Sequence, residues 1–244
     1  MSQSKACIVL AAGKGKRMKS DLPKVVHEIN GQPIIRILLD TLKQMGFQRI
    51  VVVIGFKGEL VQEALRGYDV DFAWQREQLG TGHAVVMTQE QMGDFEGTTL
   101  VALGDVPFLS RKSIERLFEI HEKNRAAATC LSAILDDATG YGRIVRKVGT
   151  DILQEIVEDK DASPEIAEIK EINTGTFCFD NKILFETLAL IGNDNAQAEY
   201  YLTDTIKIMH DKGLRVSVVA AENPDEVRGI NSLEQLKLLA RKFV

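Results

Sequence analysis

Two patterns alternate along the first half of the chain: short runs of consecutive apolar, often β-branched residues, and segments whose apolar positions recur every three or four residues. Runs of the first kind stand at residues 6–9, 49–54, 70–74 and 98–103, and their length and content of β-branched residues predict strands. The second pattern predicts helices at 33–45, 59–66 and 82–91, with Pro33 at a first-turn position and Gly46 as a stop. Strand, helix, strand in succession predicts a mostly parallel sheet covered by helices on both faces. Ligands of such sheets bind beyond the carboxyl ends of the strands.

The second half is less regular. Strands are expected at 128–135, 151–157, 173–179 and 214–219, helices at 181–191, 203–210 and 232–243, and a hairpin insert around Ile144 and Ile152. With no repeat, low-complexity tract or Pro/Gly-rich linker, the expected organisation is a single α/β domain over residues 1–244. It has a ligand-receiving half at about 1–110 and a small β-rich subregion at about 136–200 carrying the other wall of a cleft.

Composition narrows the class. At 45% apolar and 27% charged, the chain has what a globular core needs and excludes disordered and fibrous classes. Its net charge of −5 argues against general nucleic-acid binding. No apolar run is long enough to span a bilayer, and the N-terminal run meets charge too soon for a signal peptide, so a cytoplasmic location is expected. Cys7, Cys130 and Cys178 each lie in a strand-like segment and read as reduced packing residues.

Cations are concentrated near the N-terminus. The first strand opens into Leu10-Ala11-Ala12-Gly13-Lys14-Gly15-Lys16-Arg17-Met18, followed by Leu22-Pro23-Lys24. Glycines let backbone N–H groups approach phosphate oxygens, and the four cations supply charge, which points to a nucleoside triphosphate. The spacing excludes a P-loop and a dinucleotide fingerprint. A solvated basic turn is the alternative.

Four other places carry polar groups where chemistry could sit. The strand at 98–103 runs into Gly104-Asp105-Val106-Pro107, placing a carboxylate at its carboxyl end, either to hold a divalent cation or to make an Asx turn. After the 70–74 strand come Gln75, Gln78, Gly80 and Thr81, whose amides suit the acceptor–donor–acceptor edge of uracil or form a plain polar loop with a helix cap. Gly142, Glu158 and Asn173, each beside a predicted strand, suit sugar hydroxyls or hairpin turns. Asn231 precedes the last helix, where Asn231 or Ser232 also fits an N-cap.

Taken together and in order, these blocks resemble the uridylyltransferase domain of bacterial bifunctional N-acetylglucosamine-1-phosphate uridyltransferases. Further blocks support the likeness: Thr139-Gly140-Tyr141-Gly142-Arg143, Lys160-Asp161-Ala162, Glu171-Ile172-Asn173-Thr174-Gly175 and residues 195–204. The resemblance implies a Rossmann-like, three-layer α/β/α nucleotide-diphospho-sugar transferase fold. It implies that UTP and a sugar 1-phosphate, N-acetylglucosamine 1-phosphate foremost, give a UDP-sugar and pyrophosphate, with Mg²⁺ as cofactor. Leu10, Ala11, Ala12, Gly13, Gly15, Gln75, Gln78, Gly80 and Thr81 would hold the nucleotide. Arg17, Lys24 and Asp105 would carry catalysis, Asp105 and Asn231 the metal, and Gly104, Gly142, Glu158, Asn173 and Thr174 the sugar. Residues 195–201 receive no role.

Two departures stand out. Leu103 occupies a place where a member of that group has a tyrosine beside the sugar. The chain ends just past its last predicted helix, whereas the bifunctional proteins continue into a hexapeptide-repeat acetyltransferase, so no acetyltransferase activity is expected. The same chemistry on another base or sugar, and a non-catalytic UDP-sugar sensor, are the competing readings.

Overall fold

The computed structural model describes residues 4–147 and 152–243. Its strands are β1 (Lys5–Leu10), β2 (Glu28–Ile29), β3 (Gln32–Pro33), β4 (Arg49–Ile54), β5 (Asp71–Trp74), β6 (Thr98–Leu103), β7 (Ala128–Ile134), β8 (Arg143–Arg146), β9 (Leu153–Val157), β10 (Glu171–Asp180) and β11 (Val216–Ala220). The helices are α1 (Ile34–Lys43), α2 (Gly58–Ala64), α3 (Thr81–Val86), α4 (Gln89–Met92), α5 (Arg111–Asn124), α6 (Pro164–Ala167), α7 (Asn181–Leu188), α8 (Asp204–Asp211) and α9 (Leu233–Phe243).

One sheet runs β11-β7-β10-β6-β1-β4-β5, with β8 and β9 as a hairpin branching from β10. Neighbours are parallel except around β10, which is antiparallel to both β6 and β7. This arrangement positions the site. The parallel strands β1, β4, β5 and β6 end at one edge, and antiparallel β10 begins there, so Asn173 and Thr174 meet the loops after Leu10 and Leu103.

Alternation along the strands sorts the core into two layers. Cys7, Val9, Val52, Ile54, Leu100 and Ala102 face α1, α2 and α5, whose Leu38, Leu39, Val61, Leu117 and Phe118 are buried against them. Ala6, Ile8, Val51, Val53, Val101, Phe177 and Phe179 face α3, α7 and α8, through Val85, Leu184, Ile206 and Met209. The result is the α/β/α sandwich that the pattern predicts. All three cysteines are buried and unpaired within these layers.

Several boundaries differ from the sequence pattern. The helix at 82–91 is two helices, because the Thr88 hydroxyl donates to Val85 O at 2.7 Å and closes the first one. Helix α5, the longest among the described residues, has no counterpart in the predicted elements. Its apolar residues Ile114, Leu117 and Phe118 form a narrow stripe in a segment otherwise dominated by charged and polar side chains, and only the sheet beneath them makes that stripe a core face. The β2–β3 hairpin, turned by Asn30 and Gly31 at positive φ, is likewise absent from the predicted elements. The predicted strand start at Asp151 lies outside the described residues.

Candidate active site

A cleft of about 450 Å³ opens at the carboxyl edge of the sheet. Of the residues singled out from sequence, Leu10, Ala11, Ala12, Gly13, Arg17, Lys24, Gln75, Gln78, Gly80, Thr81, Asp105, Gly142, Glu158, Asn173, Thr174 and Asn231 all line it. Gly15 and Gly104 stand behind the wall. At Gly15 φ is +63°, and a Cβ would lie 2.7 Å from Lys24 Cβ, so its bare backbone is what lets the Lys24 segment pack against the loop. Gly104 donates its N–H to Leu10 O at 2.9 Å, tying β6 to β1 at the sheet's edge.

On the first wall, Gln75 is buried at the end of β5, and its amide nitrogen donates to Gly80 O at 2.9 Å. The Gln78 amide nitrogen donates to Gln75 O at 3.0 Å. Both amides therefore hold the loop with their nitrogens and keep their carbonyl oxygens for a ligand. The Thr81 hydroxyl already accepts the Leu202 N–H at 3.0 Å. Arg17 stands exposed at the rim, and Lys14 is drawn aside over the Phe56 ring at 5.2 Å.

The floor is built by three segments distant in sequence. Asp105, with 8% of its surface exposed, accepts the Ile230 N–H at its backbone carbonyl at 2.9 Å, which places Asn231 beside its carboxylate. Gly229 makes this approach feasible, since a Cβ there would lie 3.1 Å from Asp105 Oδ2. Lys24 Nζ donates to Asp105 Oδ2 and to Asn231 Oδ1, the latter at 2.9 Å. An ammonium thus sits where two hard oxygens converge.

The second wall comes from β10 and the β8–β9 hairpin. Asn173 Oδ1 accepts the Gly175 N–H at 2.9 Å and the Cys130 S–H at 3.4 Å, leaving the amide nitrogen as a donor for a ligand. The Thr174 hydroxyl is spent on Leu131 O at 2.7 Å. Burial pushes the Glu158 carboxyl above the ordinary carboxylate range, opposed by the Thr203 hydroxyl that donates to its Oε1 at 2.9 Å. Asp204, next along the chain after Thr203, is pushed up to about 6 by burial and then by Asp161.

The family model described as the MobA-like NTP transferase domain matches residues 7–162. The chain belongs to this family. The bifunctional protein GlmU of Brevibacillus brevis is 49% identical to this chain over 229 residues, covering 94% of the chain and 49% of the relative. GlmU of Enterococcus faecalis is 47% identical over 230 residues, covering 94% and 50%. The chain spans about half the length of these curated relatives. Among solved structures, a UDP-glucose pyrophosphorylase complexed with UDP-glucose superposes with a TM-score of 0.78 at 17% identity, over 98% of each chain. HddC from Yersinia pseudotuberculosis complexed with GMP-PN superposes with 0.70 at 20% identity, over 98% and 99%. At such identities the likeness is one of fold.

The donors on the cleft floor suit Mg²⁺: one carboxylate and one amide oxygen already face a cation, and Mg²⁺ takes few protein ligands, filling its shell with phosphate oxygens and water. Among the described residues no group of three or more His, Cys, Asp or Glu gathers for a richer site, and no helix is long and apolar enough to cross a membrane. Sequence reasoning gives no role to Tyr141, Glu199, Thr203 and Gly229, which also line the cleft. Each lies in or beside one of the motif blocks, but what these residues touch depends on chain crossings that spacing does not reveal.

Proposed function

We propose that the protein is a UTP-dependent sugar-1-phosphate uridylyltransferase, with N-acetylglucosamine 1-phosphate as the preferred acceptor. The observation that carries this reading is the meeting of Lys24, Asp105 and Asn231 on the cleft floor, between a wall of amide acceptors and a wall carrying Glu158 and Asn173. The likeness to GlmU over nearly the whole chain supports the choice of base and sugar.

The base lies against Gln75 and Gln78, whose free carbonyl oxygens accept from an imide N–H, while Ala12, Gly13 and Gly80 let the nucleotide approach backbone. Glu158 and the Asn173 amide nitrogen hold sugar hydroxyls. An oxygen of the sugar 1-phosphate attacks the α-phosphorus of UTP in line, forming the new P–O bond as the bond to pyrophosphate breaks. That oxygen is anionic near neutral pH, so no protein base is required. Arg17 and Lys24 neutralise charge on the triphosphate, and catalysis rests on positioning and electrostatics. Bound at Asp105 and Asn231, Mg²⁺ supplies further charge neutralisation.

The test is pyrophosphate release with each NTP against a panel of sugar 1-phosphates. UTP with N-acetylglucosamine 1-phosphate is expected to be the fastest pair. Tight UDP-sugar binding with no release from any pair overturns the enzyme reading. Leu103 favours keeping other sugars in the panel: it packs under Gly175 in the second wall, where an apolar side chain offers a sugar no hydrogen bond.

A further inference from the structure

Residues 195–203, between α7 and α8, adopt neither helix nor strand, yet they are bonded to both walls of the cleft. Toward the nucleotide loop, the Tyr200 N–H donates to Leu79 O at 2.8 Å, Tyr200 O accepts the Gly82 N–H at 2.8 Å, and Leu202 donates to Thr81 Oγ1 at 3.0 Å. The approach is close enough to exclude a side chain, because a Cβ at Gly80 would lie 2.5 Å from Tyr200 O. Toward the sugar wall, Asp161 accepts the Ala196 N–H at 2.8 Å and the Tyr201 O–H at 3.3 Å, Lys160 Nζ donates to Gln197 Oε1 at 2.7 Å, and Thr203 Oγ1 donates to Glu158 Oε1 at 2.9 Å.

The segment is stiff between these pins. Asn195 Oδ1 accepts the Gln197 and Glu199 N–H groups, both at 3.2 Å, and its amide nitrogen donates to Glu199 O at 2.6 Å. These bonds enclose Ala198, held at a φ of +52° that a non-glycine residue rarely adopts. The segment is therefore hydrogen-bonded to both walls and within itself.

We propose that residues 195–203 form a strap coupling the nucleotide loop to the sugar wall, with Thr203 and Asp161 as positioning residues that fix Glu158 for its sugar hydroxyl. The proposal rests on the uridylyltransferase reading. Removing the Thr203 hydroxyl leaves Glu158 without its hydrogen-bond partner, and removing the Asp161 carboxylate frees the far end of the strap. Both changes act on sugar recognition and spare the base, which contacts Gln75 and Gln78.

The experiment is calorimetric titration of the full chain with UDP and with UDP-N-acetylglucosamine, whose affinity ratio reads the sugar's contribution alone. Thr203→Val is expected to lower that ratio about tenfold, the scale of one hydrogen bond to a charged group, with UDP affinity unchanged. Thr203→Ser restores the ratio, and Asp161→Ala lowers it although the Asp161 carboxylate hydrogen-bonds Ala196 and Tyr201, neither of which lines the cleft. In a Glu158→Ala background the Thr203→Val effect vanishes; if it persists, Thr203 acts on the sugar directly and the positioning role is overturned. Equal losses for both ligands, or an unchanged ratio in both variants, overturn the strap. Wild-type protein that binds UDP but no UDP-sugar overturns the uridylyltransferase reading, whereas wild-type binding with an unaffected Thr203→Val variant overturns the strap alone.

Discussion

The ammonium of Lys24 is bonded to the carboxylate of Asp105, 81 positions further along the chain, and the same ammonium reaches Asn231. A lysine therefore occupies the two oxygens that, on the proposed reading, would hold a divalent cation, and it would have to leave them for the metal to bind, with the triphosphate as its next partner. Removing this ammonium vacates the notch. Lys24→Met is expected to bind Mn²⁺ severalfold more tightly than wild type in the absence of nucleotide, measured by the free Mn²⁺ signal in electron paramagnetic resonance. Equal affinities would show that the lysine and the metal do not share the site. The same variant is expected to lose roughly two to three orders of magnitude in kcat, the scale of other lost charge clamps.

Asp105 supplies the only negative charge of the Lys24–Asp105–Asn231 cluster, since Asn231 is neutral. Asp105→Ala is expected to abolish pyrophosphate release, and titration with excess Mg²⁺ does not restore it, because one amide oxygen binds the cation too weakly. Near-normal turnover in this variant would remove Asp105 from the metal site.

Gly175 interrupts β10 where its pairing with β7 shifts register, at φ +76°, and a Cβ would lie 2.5 Å from Leu103 Cδ1. Gly175→Ala thus meets both a strained backbone and an overfilled contact, and is expected to cost about 2–4 kcal/mol in urea denaturation. Adding Leu103→Ala to it relieves the contact and leaves the backbone cost, so the double variant recovers only in part.

His121 is buried on the inner face of α5 with Nδ1 3.0 Å from the Thr129 hydroxyl, and burial lowers its pKa to about 4. Above pH 6.5 the imidazole is neutral in both folded and unfolded chains and contributes no pH dependence. As pH falls from 6.5 toward 4 only the unfolded chain takes up the proton, so stability is lost across that window. The loss reaches about 3 kcal/mol below pH 4, where the folded protein also protonates. Urea midpoints at pH 7.5 and pH 5 are expected to show this decline in wild type, and His121→Gln reduces it.

The paired expectations at the floor illustrate how much of the site is legible in the sequence. Lys24, Asp105 and Asn231 are each identifiable from local signals: a cation after a glycine loop, a carboxylate ending an apolar strand, and an amide before a helix. That Lys24 lies against both of the others is not legible, because the contact is made by the Asp105–Ile230 backbone bond and by the space that Gly229 leaves. Thr81 shows another contact that is not legible: its hydroxyl oxygen accepts the N–H of Leu202, 121 positions further on, and its O–H remains available to a ligand.

Local pattern by itself determined the strands β1, β4 and β6, the alternating helices and the edge of the sheet where the site lies. Those features depend on periodicity and on backbone permissions that a few neighbouring residues set. Tertiary structure alone decided that β10 enters antiparallel between β6 and β7, that α5 has a core to cover, and that residues 195–203 bridge the two walls. Each of these depends on groups far apart in sequence meeting at hydrogen-bond or packing distance, and such meetings are fixed by the free energy of the whole fold, which no short stretch of chain encodes.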